Sequence, residues 1–215
     1  MIDKLGLKLE VLKPKANIED SKKTVRLIDA FYDVALDAFG KWLPREAIES
    51  RTADASCVIA VYKEERIVAY AVNDLLDING KKVNYYASGF IRRELQGNGL
   101  YNEMNILRYK YTLADIIMTR TQNPVVYREF KKLCCSLGYF LEPRGNEINT
   151  ETLSLAKGFS SDVEENMVVR GVYWNRSLMN DTPKPQGELE TKLWNNLNIN
   201  NGDAMVIIGI KNGTL

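Results

Sequence analysis

At 215 residues the chain can be one large domain or two small ones, and at 45% hydrophobic content it can bury a full core. A net charge of +1 gives no bulk attraction to nucleic acid or to a membrane surface, so neither is expected as a partner. The absence of histidine excludes Ser-His-Asp and Cys-His catalysis and removes the commonest metal ligand, leaving proton transfer to a carboxylate, tyrosine, lysine, cysteine or water.

No apolar run approaches the ~20 residues that span a bilayer. The opening Met1-Ile2-Asp3-Lys4 lacks a secretory pattern. The three cysteines, Cys57, Cys134 and Cys135, have no metal-like spacing and read as reduced thiols. A cytoplasmic protein without a metal is the expectation.

Leu5, Leu7, Leu9 and Val11 alternate with Gly6, Lys8 and Glu10, which predicts a half-buried strand stopped at Pro14. Asp20 or Ser21 is the expected cap of one helix running to Phe39, with Val25, Ile28, Phe31, Tyr32 and Ala35 on its apolar stripe and Gly40 closing it. Pro44 suits the first turn of a second, short helix to Ser50, and Trp42 between the two reads as an aromatic plug or a pocket wall.

Cys57 to Tyr62 is continuously apolar, as for a strand covered on both faces. Lys63-Glu64-Glu65-Arg66 turns it into a strand from Ile67 to Leu76, and the Asn79-Gly80 turn leads to a third strand, Val83 to Arg92. These three are expected to form an antiparallel meander. The run Tyr85 to Ile91 then passes into Gln96-Gly97-Asn98-Gly99-Leu100-Tyr101 and becomes helical, with Leu100, Met104, Leu107 and Tyr111 at three- and four-residue steps.

Strand, glycine turn and helix start read either as a strand-to-helix connection that needs glycine for its geometry or as a phosphate site, because first-turn N–H groups have no partner in the helix and the helix dipole adds positive charge there. A strand over Asp115 to Thr119 comes next, expected as a parallel neighbour reached by a right-handed crossover. No Gly-x-x-x-x-Gly-Lys-Ser/Thr is present, and Gly97-Asn98-Gly99 lacks the third glycine of a dinucleotide fingerprint.

Asn123 caps the next predicted helix and Pro124 occupies its first turn. Val126, Phe130, Leu133 and Leu137 form its stripe and Gly138 ends it. Vicinal Cys134-Cys135 on this helix reads as packing, since adjacent helical residues diverge and neither has a histidine partner. Pro143-Arg144-Gly145-Asn146 is a turn, Glu188 to Leu197 a helix, and Ala204 to Ile210 a last buried strand.

The Gln96 to Tyr101 loop resembles the Gln/Arg-x-x-Gly-x-Gly/Ala loop of the GCN5-related N-acetyltransferases, with Gln96 and Gly99 matching and Tyr101 replacing a small residue. The resemblance runs from about Leu7 to Leu141 and implies a mixed α/β (α+β) fold. That fold is a mostly antiparallel, twisted sheet of about six to seven strands flanked by helices, in a single domain over 1–215. Residues 142–202 would then be an insertion before the last strand, capping the acceptor site, extending the core or forming a homodimer contact, with Tyr173, Trp174 and Arg176 as candidate acceptor contacts.

The family's co-substrate is acetyl-CoA. By resemblance, Phe90 and Ile91 pair with its pantetheine, the amides of Gln96, Gly97, Asn98, Gly99, Leu100 and Tyr101 hold its pyrophosphate, and Asn123 contacts its arm. The usual tyrosine acid is replaced by Phe130, which leaves Tyr127, one turn earlier, as the candidate acid or a surface tyrosine. Asp74, Glu46 and Glu94 are the candidate bases. The expected reaction is acetyl transfer to a primary amine, small-molecule or peptide, by direct attack in a ternary complex. The alternative is a non-catalytic CoA- or nucleotide-binding module on the same fold.

Overall fold

The computed structural model describes residues 2–145 and 147–214, so Met1 and the Asn146 end of the expected turn lie outside the described residues. The chain divides into two compact units. The first runs to Leu75 and resumes over Asn84–Leu113; the second comprises Leu76–Val83 and the chain from Ala114 onward. Among the described residues there are seven α-helices and eight strands, one strand more than the upper expectation, and no helix long and apolar enough to cross a membrane.

In the first unit, β1 (Leu7–Leu12) is followed by three helices, α1 (Ile18–Arg26), α2 (Ile28–Phe39) and α3 (Arg45–Thr52). Then come β2 (Cys57–Lys63), β3 (Arg66–Ile78), β4 (Lys81–Ile91) and α4 (Leu100–Tyr111). The strands lie in the order β1-β2-β3-β4. β1 and β2 run antiparallel from Leu7 opposite Lys63 to Leu12 opposite Val58, and β2 and β3 from Cys57 opposite Asn73 to Lys63 opposite Arg66. The β3–β4 turn has positive φ at both Asn79 (53°) and Gly80 (75°), the conformation that makes Asn-Gly favourable between paired strands.

The expected long helix from Asp20 or Ser21 to Phe39 is two helices. Asn17 is the cap: its Oδ1 accepts from the amides of Glu19 at 2.9 Å and Asp20 at 3.4 Å. Leu27, with φ −93° and ψ −2°, ends α1 and begins α2. The break turns the two helices' faces apart, so Val25 is 49% exposed while Ile28, Phe31, Val34 and Ala35 are buried. Trp42 is 62% exposed and is not the plug expected from its place between helices.

Strand alternation sends Val58, Ala60, Tyr70, Val72 and Phe90 into one cluster with Phe31 and Val34 of α2. Cys57, Ile59, Val61, Ala71 and Ile91 join Leu100 and Met104 of α4 in a second cluster. β2 is therefore covered on both faces, as its unbroken apolar run predicts. On α4, Arg108 and Asn105 are buried, whereas Tyr111, expected on the stripe, is exposed.

In the second unit, β5 (Ile116–Thr121), α5 (Pro124–Leu137), β6 (Tyr139–Glu142), α6 (Thr150–Phe159), β7 (Val168–Val169), α7 (Gly187–Trp194) and β8 (Ala204–Lys211) follow in order. β8 is central: β5 pairs antiparallel along Met205–Ile210, β6 along Ile208–Lys211, and β7 at Ala204 and Met205. Residues 142–202 thus give the sheet a strand and two helices and extend the core of this unit. Gln122, buried at the end of β5, fastens them. Its Nε2 donates to Ile199 O, its Oε1 accepts from Leu178 N, and its carbonyl accepts from Trp194 Nε1.

Asp203, buried just before β8, ties the same segment down. It accepts from Arg170 Nη1 at 2.6 Å, Asn198 N at 2.9 Å and Gly171 N at 3.1 Å. Burial alone would raise its carboxyl pKa; Arg170 and the two amides outweigh burial and hold it below the usual carboxylate range. Its stabilisation is therefore present above the unfolded-state value of ~3.9 and is lost as pH falls through the depressed folded value. Asp203→Ala is expected to lower stability by ~2–3 kcal/mol at pH 7. The deficit, followed by urea unfolding, should shrink as pH is lowered below ~4.

Candidate active site

β4 ends at Ile91, and Arg92 N still reaches Val68 O at 2.9 Å. A 3₁₀ turn, Arg93–Leu95, then turns the chain through Leu95 N to Arg92 O and Gln96 N to Arg93 O. Two side chains pin the glycine turn to this entry. Gln96 Nε2 donates back to Ile91 O at 2.9 Å, and Asn98 Nδ2 donates to Leu95 O at 3.5 Å.

Gly97 and Gly99 have φ of 78° and 76°, the left-handed region that a side chain strains. A Cβ on Gly97 would meet nothing within 4 Å, so this glycine serves the backbone angle and not a tight contact within the chain. Gly99 occupies the cap position of α4 and supplies no side-chain cap. Among the described residues, the amides of Gly97, Asn98, Gly99 and Leu100 have no acceptor in the chain, and residues 96–99 are exposed. An exposed turn of amides at a helix start binds anions.

Tyr101, where a small residue is usual in the resembled loop, is accommodated from across the helix–strand contact. A Cβ on Gly89 of β4 would lie 3.2 Å from Tyr101 Cε2 and 3.1 Å from Arg108 Nη1. Phe90 is buried in a ring cluster, 4.9 Å from Phe39 and 5.2 Å from Tyr70 between centroids, and Tyr70 stacks on Phe31 at 4.6 Å.

Beneath Gly89 lies a feature that the apolar stripe of α4 does not reveal. Arg108 is fully buried without a carboxylate partner among the described residues. Its Nε donates to Asn73 Oδ1 at 2.6 Å, Nη2 to Val72 O at 2.8 Å and Nη1 to Asn105 Oδ1 at 3.3 Å, and its guanidinium lies 4.1 Å from the centre of the Tyr86 ring. Asn73 Nδ2 donates on to Asn84 Oδ1, and Asn84 Nδ2 to Thr112 O. Burial pulls the Arg108 pKa down, and the neighbouring Tyr101 and Tyr86 hydroxyls oppose it. The sequence signal was available in the single asparagines at Asn73 and Asn84, each inside an apolar strand.

Of the candidate bases, Glu46 and Glu94 are exposed. Asp74 is half-buried on β3; its Oδ1 accepts from Ser56 N at 3.2 Å, and burial raises its pKa. Six residues of β3 separate it from Val68, which bonds the entry to the glycine loop, or about 20 Å of extended chain. The first unit therefore brings Phe90, Ile91 and residues 96–101 together, with Asp74 farther along the same sheet.

Asn123 and Tyr127 belong to the second unit. Asn123 caps α5 as expected: its Oδ1 accepts from Val125 N at 2.9 Å, and its own amide donates to Thr121 Oγ1. Tyr127 is not on the helix surface. It is buried edge-on to Trp194, its hydroxyl donates to Pro143 O at 2.9 Å, and burial pushes its pKa up to about 12. Phe130 is buried beside it on α5, and Cys134 is buried while Cys135 is exposed. Tyr173 is buried with its hydroxyl on Arg120 O, whereas Trp174 is 44% exposed at φ 55° with Arg176 over its ring.

No family model matches the chain, and no curated protein matches it by sequence. Among solved structures, the ribosomal-protein-S18-alanine N-acetyltransferase from Escherichia coli superposes with a TM-score of 0.52 at 11% identity, covering 97% of this chain and 98% of that one. A diaminobutyrate acetyltransferase from Paenibacillus lautus, in complex with its substrate and coenzyme A, covers 63% of this chain and 80% of that one at 12% identity and a TM-score of 0.48. For a protein from Pyrococcus horikoshii the match is 64% of this chain but only 44% of that one, at 13% identity and a TM-score of 0.47. Identities this low speak to architecture alone, and at that level the chain has the GCN5-related N-acetyltransferase fold.

Proposed function

We propose that the protein is an acyl-CoA-dependent N-acyltransferase that transfers an acetyl group to a primary amine. The observation that carries this reading is the exposed turn in which the amides of Gly97, Asn98, Gly99 and Leu100 lack acceptors at the start of α4. In this reading the amides hold the pyrophosphate of acetyl-CoA, and Gln96 acts through its bond to Ile91 O, holding the loop against the end of β4. The pantetheine follows β4 at Phe90 and Ile91.

The neutral amine attacks the thioester carbon. The C–N bond forms, the C–S bond breaks, and main-chain N–H groups near Phe90 stabilise the oxyanion. The amine proton leaves to water, and Asp74, whose pKa burial raises, is the proposed final acceptor, reached along β3 through a chain of waters. The departing thiolate takes its proton from water, since the Tyr127 hydroxyl is committed to Pro143 O.

The test is thiol release from acetyl-CoA over a panel of primary amines. Asp74→Asn is expected to lower kcat without weakening acetyl-CoA binding, and wild-type kcat/KM should fall as pH drops through the raised Asp74 pKa. At a hundredfold excess over Kd, acetyl-CoA should add about 2.7 kcal/mol of stability. Binding without release by any amine would favour the non-catalytic module; no binding would remove the cofactor reading itself.

A further inference from the structure

The first unit contains a cleft of about 510 Å³ between α2 and the β2–β3 turn, within the size range of small-molecule sites. Arg92 lines it at 9% exposure. Its Nε donates to Ile67 O at 3.2 Å, and among the described residues its two terminal nitrogens have neither an acceptor nor an acidic partner. A guanidinium presents a planar fork whose unspent N–H groups match a carboxylate. Neither terminal nitrogen is a buried atom lacking a partner, so both face the solvent of the cleft, where an anion can take them.

The rest of the lining narrows the ligand. Leu27, Leu36 and Ile67 give the cleft an apolar wall. Asp33, Glu65 and Arg66 stand exposed on its rim, and none of the three makes an ion pair among the described residues. Two cations and two anions sum to zero, so the cleft as a whole does not favour a multiply charged anion such as phosphate. It suits a ligand carrying one charge of each sign, with the carboxylate on Arg92, the ammonium toward the rim carboxylates and a hydrocarbon side chain on the wall.

We propose that this cleft binds a free α-amino acid with an aliphatic side chain. The proposal does not rest on acyl transfer, and its test contains no acetyl-CoA, so the two readings fail separately. The experiment is calorimetric titration of the full chain with L-leucine, with L-leucinamide (no carboxylate), with 4-methylpentanoate (no ammonium) and with inorganic phosphate. Leucine should bind at about 1 mM or tighter. Leucinamide and 4-methylpentanoate should each be at least about tenfold weaker, and phosphate should give no saturable heat. Arg92→Gln should weaken leucine at least about tenfold, and Asp33→Asn with Glu65→Gln should erase the difference between leucine and 4-methylpentanoate.

Absence of leucine binding up to about 10 mM, equal binding of leucinamide, saturable phosphate binding, or unchanged leucine binding by folded Arg92→Gln would each overturn the proposal. If loss of the bond to Ile67 O prevents Arg92→Gln from folding, the leucine–leucinamide comparison on the wild type decides.

Discussion

Arg108→Ala is expected to lower the stability of the protein by about 3–5 kcal/mol, a large loss for a single substitution. Three acceptors, Asn73 Oδ1, Val72 O and Asn105 Oδ1, lose a charged donor inside the core, where water does not replace it. Asn73 also loses the partner that orients it toward Asn84, and Asn84 in turn holds the carbonyl at the end of α4. Loosening therefore passes from the helix to β3 and β4. For a chain of this length the midpoint of thermal unfolding should fall by roughly 10 °C or more. Arg108→Met separates polarity from volume, because it refills much of the space and leaves the acceptors unmet. It should remain destabilised by at least about 2 kcal/mol in urea titration. A wild-type midpoint for Arg108→Met would show that the network contributes no net stability.

Elements bounded by local signals were legible from residues alone. The Asn79-Gly80 turn demands positive φ at two positions and so fixes the β3–β4 hairpin. Asn123-Pro124 at one end and Gly138 at the other delimit α5 to the residue. The unbroken apolar runs of β2 and β8 announce strands covered on both faces.

The elements that were not legible depend on tertiary context. The break at Leu27 contains neither proline nor glycine, and apolar spacing continues through it. β7 is two residues long, too short to have a period, and exists because β8 offers an edge. Arg108 comes after Leu100 and Met104 at a four-residue step, yet a charged residue on that stripe reads as solvent-facing until the asparagines that receive it are known. In the site, the glycines of the 96–99 turn could be read, because the sequence records the need for positive φ. The burial of Tyr127 could not, because its partner Pro143 is sixteen residues away.

The second large effect concerns that turn. If the amides of Gly97 to Leu100 hold a pyrophosphate, at least two charge-assisted hydrogen bonds of ~1.5–3 kcal/mol each depend on it. Gly99→Val should weaken acetyl-CoA at least about tenfold, by placing two methyls before those amides. Because Gly99 has φ of 76°, the same change also costs ~1–2 kcal/mol of stability, so it must be compared at equal folded fraction. Gly97→Ala supplies the control for strain: φ is 78°, and its added Cβ meets nothing within 4 Å.

The most direct measurement leaves the protein unaltered and shortens the ligand. Acetyl-CoA and S-acetylpantetheine present the same thioester and arm, and the second lacks the pyrophosphate together with the 3′-phosphoadenosine attached to it. Calorimetric titration of the wild type should show acetyl-CoA binding at least about 100-fold tighter, the equivalent of two such bonds. Equal affinity for the two, or no saturable binding of acetyl-CoA, would contradict the assignment of the Gly97–Leu100 amides as a pyrophosphate site.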